Sequence, residues 1–234
     1  MPAGKALQEA VYDAEAEETG NTEPADPEPY PYGRNEKGDG AMSRYATRAA
    51  LAGALIGIGD VAMLEAENRI VGALLFTVAL LCIIRLGLPL YTGRVGTVVR
   101  KRNWRACSWF LLWNLAGSIV VTMLYQLLDE KNEEKMREAA RLKFSRGFLV
   151  LFVAGMFCNV LVHVAVVAKS EVITILCVMG FILCGFEHSI ADFPYVCMNG
   201  WYFPEWFAVL AGNTAGAVLT EALLARDGDV RKNV

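Results

Sequence analysis

Glu187 and His188 stand side by side in Gly185-Phe186-Glu187-His188-Ser189-Ile190-Ala191-Asp192, directly after an uncharged run from Val172 to Cys184. In a segment apolar enough for a bilayer, an ionisable residue costs about 2.5–3.5 kcal/mol on insertion scales, so its presence is a sign of function. Histidine is the side chain whose ordinary titration falls near neutral pH. The chemistry this pair offers is proton handling or hydrogen bonding on a transport path, with Glu187 polarising or orienting the region. A histidine merely satisfied by a backbone carbonyl at a helix break is the less favoured alternative.

Other residues could join that chemistry. Thr92 lies in Leu90-Tyr91-Thr92-Gly93, just after Gly87 and Pro89. A hydroxyl on irregular backbone at membrane depth can coordinate a solute or bond a facing histidine, and it can equally cap a helix. Asn159, Asn114 and Asn213 are amides within apolar segments; for the last two, holding helices together is the expected role. His163 sits among valines and alanines with no acid nearby, and a helix-packing hydrogen bond is as good a reading for it as a pore role. Lys143, just before an apolar segment, would focus anions at a vestibule, although most such lysines are simply solvated. Arg85 either lines a wet cavity or snorkels.

Composition identifies the elements that must position these groups. The chain has 234 residues, 55% of them hydrophobic, with a mean hydropathy of +0.35. Those values with long uncharged runs indicate a polytopic membrane protein. Six segments approach the roughly 20 apolar residues that a span requires: about 44–63, 69–93, 103–128, 146–168, 171–193 and 203–225. The second and fifth are interrupted, by Gly87, Pro89 and Gly93 and by Gly185 and Pro194. Residues 13–40 are acidic and proline-rich, a composition that buries too little apolar surface to fold. Residues 5–18 could form a short surface helix. The expected organisation is an N-terminal arm over 1–43, a channel domain over 44–225 and a tail over 226–234. No secretory signal pattern is visible.

The two halves repeat. Gly57 and Gly155 are 98 positions apart, as are Gly87 and Gly185; Asn114-Leu-Ala-Gly117 and Asn213-Thr-Ala-Gly216 are 99 apart. Three spans per unit is an odd number, so the second unit must enter from the opposite side. The expectation is an inverted-topology repeat whose two broken helices meet near the midplane. Basic residues favour both termini in the cytoplasm: Arg94, Arg100, Lys101, Arg102 and Arg105 follow the second segment, whereas the 5–6 connection has none. The 3–4 connection, with six basic residues placed outside, objects; its alternating charges suggest a solvated helix. The six cysteines lack CxxC spacing and mostly read as small apolar packing residues. With two histidines, no metal site is expected, nor is a cofactor. The absence of a nucleophile–base pair argues against an enzyme.

Gly185–Asp192, Leu90-Tyr-Thr-Gly93, Cys158-Asn-Val-Leu-Val162 and Gly212-Asn-Thr-Ala-Gly216 resemble motifs of the formate/nitrite transporter family, over about Arg44–Ala225. The resemblance implies an all-α, aquaporin-like protomer in a homopentamer, embedded in membrane lipid with no nucleic-acid partner. It implies that His188 is the central pore histidine facing Thr92, with Asn159 close by and Lys143 in the vestibule. Phe76 and Phe181 would form one apolar constriction, Leu80 and Leu90 the other. Pro89 stands where the family usually has an acid, Arg94 where asparagine commonly follows Thr-Gly, Asp192 where asparagine is usual, and His163 where cysteine is frequent. The function expected is passage of small monovalent anions of weak acids across a prokaryotic plasma membrane, coupled to protonation at His188. A channel for a neutral or hydrosulfide-type solute and a non-transporting paralogue are the alternatives.

Overall fold

A computed structural model describes residues 39–199 and 202–232, with side chains over 45–197 and 202–225. All regular structure among the described residues is helical. In chain order the helices are α1 Asp39–Glu65, α2 Arg69–Arg85, α3 Tyr91–Arg100, α4 Trp104–Gln126, α5 Lys131–Phe144, α6 Phe148–Val167, α7 Glu171–Leu183, α8 Ser189–Asn199 and α9 Phe203–Lys232. Helix α1 begins before the expected end of the arm at residue 43, and α9 continues through most of the expected tail. The rest of the arm, including the short helix expected over 5–18, lies outside the described residues.

Polar residues mark several helix starts. Asn68 accepts from the Ile70 and Val71 amides, Asn103 from Ala106 and Ser170 from Ile173. Each satisfies donors that a helix N-terminus leaves without an intrahelical partner. Four stretches, Tyr45–Glu65, Trp104–Gln126, Phe148–Val167 and Phe203–Ala225, are long and apolar enough to cross a bilayer. Their outward faces expose Leu51, Leu112, Val120, Leu149, Phe157 and Leu223. Apolar outward faces on helices of this length fit lipid or a partner better than water.

Small residues hold the helices in two close pairs, α1 with α4 and α6 with α9. A Cβ on Gly117 would come within 2.0 Å of the Ala50 carbonyl oxygen, and one on Gly212 within 2.1 Å of that of Phe152. Backbone meets backbone there, the usual means by which membrane helices gain packing energy without a hydrophobic drive.

Helix α5 departs from the solvated helix expected of its charges. Asn132, Met136, Ala140 and Phe144 are buried at four-residue spacing, so one stripe docks on the bundle while Glu133 and Arg137 pair on the outer face at 2.6 Å. Arg85 is the last residue of α2. It is largely exposed and pairs with Glu171, joining the end of α2 to the start of α7. An exposed ion pair contributes at most about 1 kcal/mol. Arg85→Ala is therefore expected to leave the apparent Tm in detergent nearly unchanged, and a drop of many degrees would show that the pair has a structural role.

Candidate functional site

Two matching turns organise the centre of the molecule. Helix α2 ends where Gly87 takes φ +59°, with the Gly87 amide bonded to the Ile84 carbonyl at 3.1 Å and the Leu88 amide to Ile83 at 2.9 Å. Helix α7 ends the same way. Gly185 takes φ +70°, its amide bonds Ile182 at 3.0 Å, and the Phe186 amide bonds Phe181 at 2.9 Å. These are Schellman ends, whose left-handed position favours glycine. The 98-residue spacing read between Gly87 and Gly185 therefore also joins their hydrogen-bond partners.

The next helix in each half starts against a buried asparagine. Asn114 Oδ1 accepts from the Tyr91 amide at 2.7 Å, and its Nδ2 donates to the carbonyls of Pro89 at 3.0 Å and Ala49 at 2.7 Å. Asn213 Oδ1 accepts from the Ser189 amide at 2.8 Å, and its Nδ2 donates to Glu187 at 3.0 Å and Gly155 at 2.7 Å. Each amide caps a helix from another element and satisfies backbone that irregular structure would leave unpaired. Pro89 fits for that reason. Its position supplies a carbonyl and needs no N–H, so exchanging an acid for proline leaves the backbone role intact. Ala49 takes the place opposite Asn114 that Gly155 takes opposite Asn213. Gly57 instead lies against Ser118 and Val121, so it is not the packing counterpart of Gly155.

Arginines cover the carbonyl ends of the two turns. Arg48 bonds the Leu86 and Gly87 oxygens at 2.9 and 3.2 Å. Arg69 reaches Leu183 at 2.9 Å, and Arg146 reaches Gly185 at 2.7 Å. A cation at a helix C-terminus is favourable both as a hydrogen-bond donor and against the helix dipole.

Between the two helix starts, Thr92 Oγ1 lies 2.9 Å from His188 Nε2. The Ala191 amide, which can only donate, lies 3.3 Å from His188 Nδ1. That contact assigns the neutral ring a bare Nδ1 and a proton on Nε2, which donates to Thr92. Both residues are buried. Phe181 stacks on the imidazole with centroids 6.2 Å apart, and Phe76 meets it edge-on at 6.5 Å. The two phenyl rings contact each other at 6.0 Å. Leu80 on α2 and Leu90 at the start of α3 are buried as well. Asn159 donates to the Asn213 carbonyl at 2.6 Å, while its own Oδ1 is buried without a partner. The Ser189 carbonyl beside His188 receives the Trp206 indole N–H at 2.7 Å.

Glu187 turns away from the imidazole. Its Oε2 accepts from Lys143 at 3.0 Å and its Oε1 from Arg146 at 2.8 Å. Lys143 also donates to Asp192 at 2.8 Å and lies 5.5 Å from the Tyr195 ring centroid. Lys143 is thus no isolated vestibule charge but the centre of a compensated cluster. Burial pulls its pKa down, but the carboxylates of Asp192 and then Glu187 outweigh that and hold it well above the ordinary lysine value. Asp60 joins the same cluster from α1, buried and hydrogen-bonded to Tyr195. Sequence reasoning passed over Asp60 and Glu221. A single acid inside an apolar helix was the available signal for each.

A helical bundle with four stretches long and apolar enough to cross a bilayer, and with apolar outward faces, is the architecture of a polytopic membrane protein. Residues 33–225 match the sequence profile of the formate/nitrite transporter family, and the chain belongs to that family. The nitrite transporter NirC of Escherichia coli (strain K12) is 29% identical over 182 residues, covering 66% of this chain and 67% of that protein. YwcJ of Bacillus subtilis, described as an uncharacterized transporter, is 28% identical over 180 residues, covering 64% of this chain and 70% of its own length. Among solved structures, a pentameric formate channel with formate bound superposes with a TM-score of 0.68 at 21% identity, over 83% of this chain and all of that one. An ion channel of the same family gives 0.67 at 22% identity, over 80% and 90%. These likenesses establish the fold. The chain is a multi-pass membrane protein of a transporter family, not an enzyme.

Proposed function

We propose that the chain is a channel or transporter for small monovalent anions of weak acids, formate or nitrite among them, whose passage is coupled to protonation at His188. The observation that carries this is the Thr92–His188 contact, made between the first turns of two helices and lined by Phe76 and Phe181. In this reading α2 with α3, and α7 with α8, are the two broken spans of an inverted repeat of six, and the turns at Gly87 and Gly185 let them meet at mid-membrane. The matched glycine turns and asparagine caps support that arrangement. The family's pentameric formate channel supports a homopentamer in the cell membrane, surrounded by lipid, with one pore per protomer. The basic residues after the second span favour cytoplasmic termini, with 1–43 and 226–234 flanking the 44–225 channel domain.

The chemical problem is an anion crossing an aromatic constriction. Burying an unpaired ion costs far more than neutralising it, so a weak acid crosses as the protonated species. The Thr92 hydroxyl, whose oxygen accepts from His188 Nε2–H, keeps its own proton to donate on that route. Phe76, Phe181, Leu80 and Leu90 exclude water beside them. Asn159 fixes the adjoining Asn213 backbone. The Lys143 cluster, with Glu187 and Asp192, holds the turn that presents His188.

His188→Phe keeps a planar ring and loses the donor. It is expected to abolish proton-coupled uptake in proteoliposomes tested with formate, nitrite, hydrosulfide, acetate and lactate at two pH values. Unchanged flux and pH dependence would refute the role of His188. Flux independent of pH and membrane potential would favour a neutral-solute channel. No flux of any of the five solutes through the wild type would favour a non-transporting paralogue.

A further inference from the structure

His163 and Glu221 have no part in the path described above, yet both are ionisable and sit within apolar helices. His163, on α6, is 1% exposed, and its Nε2 lies 3.1 Å from Glu221 Oε2 on α9. The ring is not aimed at the carboxylate, and neither ring nitrogen has an aligned hydrogen bond. A buried neutral imidazole left in that state is costly, whereas a protonated one gains a close ion pair. Glu221 also receives two groups from α3. Arg100 Nε is 3.0 Å from its Oε1, and Thr97 Oγ1 is 3.3 Å from its Oε2.

Helix α3 is the element that carries Thr92, and it lies along α9 for its whole length. Near its start, the Tyr91 hydroxyl meets Thr214 Oγ1 at 2.8 Å. At Gly96 the backbones approach so closely that a Cβ would come within 2.7 Å of the Ala217 carbonyl oxygen. Beyond it, Glu221 closes the contact through Thr97 and Arg100. Ten residues of continuous helix join that end to Thr92.

We propose that His163 and Glu221 form a proton-responsive clasp that sets the seating of α3, and thereby the position of Thr92 opposite His188. Both are positioning residues, and their effect on transport rests on the reading that the Thr92–His188 contact lies on the transport path. From α9 the charged group facing His163 is Glu221; α3 carries Arg94 and Arg100, and Arg100 bonds Glu221. Helix α7, packed beside α6, has Glu171 as its one charged residue, paired with Arg85, together with the thiol of Cys177. The other titratable group on α6 is Cys158. With His163 neutral, the carboxylate is balanced by an arginine that is half exposed and open to exchange with water. Protonation places a buried cation against the same carboxylate and tightens the junction of α3, α6 and α9.

The test is hydrogen exchange on the full-length protein in nanodiscs, read over the segment 91–100 and corrected for intrinsic chemical rates. Wild type is expected to exchange about tenfold more slowly at about pH 5.5 than at about pH 8. In His163→Gln and in Glu221→Gln the ratio is expected to fall to about one, with the double variant no different from either single. His163→Asn replaces the first variant if that one does not accumulate. A pH-independent wild type, or a ratio kept in the His163 variants, overturns the clasp. Formate flux measured in parallel should lose one step of its pH profile in the same variants. A clasp ratio without flux of any anion would refute the transport reading alone; flux with no clasp ratio would refute the clasp alone.

Discussion

Lys143→Met is expected to destabilise the protein by about 3–5 kcal/mol, the cost of leaving buried charge without its partner. The reason lies in who depends on Lys143. Glu187 retains Arg146 when the lysine is lost. Asp192 is fully buried, its Oδ1 is bonded to Lys143 and its Oδ2 has no partner. The orphaned group is thus Asp192, not Glu187. Pairing the change with Asp192→Asn should restore most of the loss, and pairing it with Glu187→Gln should restore little. A lysine whose folded pKa is raised contributes its full stabilisation below the ordinary lysine value and loses it only as pH rises through the higher one. Between about pH 5 and pH 8 Lys143 stays charged, so a pH dependence of flux in that window must come from another group. Thermal unfolding in detergent at fixed scan rate checks the energetic statement. An apparent Tm unchanged in Lys143→Met would mean that Asp192 holds no charge to be compensated.

How much of this was legible in the sequence depended on whether a signal was local. Gly87 and Gly185 showed the turns because a left-handed helix end demands a residue without a side chain, and that demand is met by one position alone. Asn114 and Asn213 were visible as amides in apolar segments, although their task as caps for helices elsewhere in the chain was not. The partners of Lys143, read as a vestibule cation, were hidden for the opposite reason. Only folding brings Asp192, nearly fifty positions away in sequence, onto its ammonium. Helix α5 was read as solvated because the buried stripe of Asn132, Met136 and Ala140 is too weakly apolar to stand out among its charges. His163 had no acid near it in sequence, and its partner Glu221 lies on another helix. Long-range charge pairs are set by packing and leave no periodic trace.

The asparagines carry the second large effect. Asn213→Leu keeps the number and branching of the side-chain heavy atoms but strips partners from the Ser189 amide and the Glu187 carbonyl. Asn114→Leu does the same to the Tyr91 amide and the Pro89 carbonyl. Each backbone group left unpaired in a buried site costs about 1–3 kcal/mol. Gly155 and Ala49 lose less, since each carbonyl lies within a helix and has an intrahelical donor as well. Either substitution should lower the apparent Tm by several degrees, at about 2–4 °C per kcal/mol for a chain of this size. Their functional consequences differ in origin from those of His188→Phe. Ser189 and Glu187 flank His188 on both sides, so Asn213→Leu displaces an intact histidine and should suppress flux at every pH while also reducing stability. His188→Phe should suppress flux with the fold retained. Asn213→Asp separates the two parts of the amide's role. It keeps the acceptor for Ser189 but turns a donor pair into a negative charge facing the carbonyls of Glu187 and Gly155, so it should be no better than leucine. Normal stability and flux in Asn213→Leu would show that the start of α8, and with it the position of His188, is held by the Trp206 indole and the surrounding packing instead.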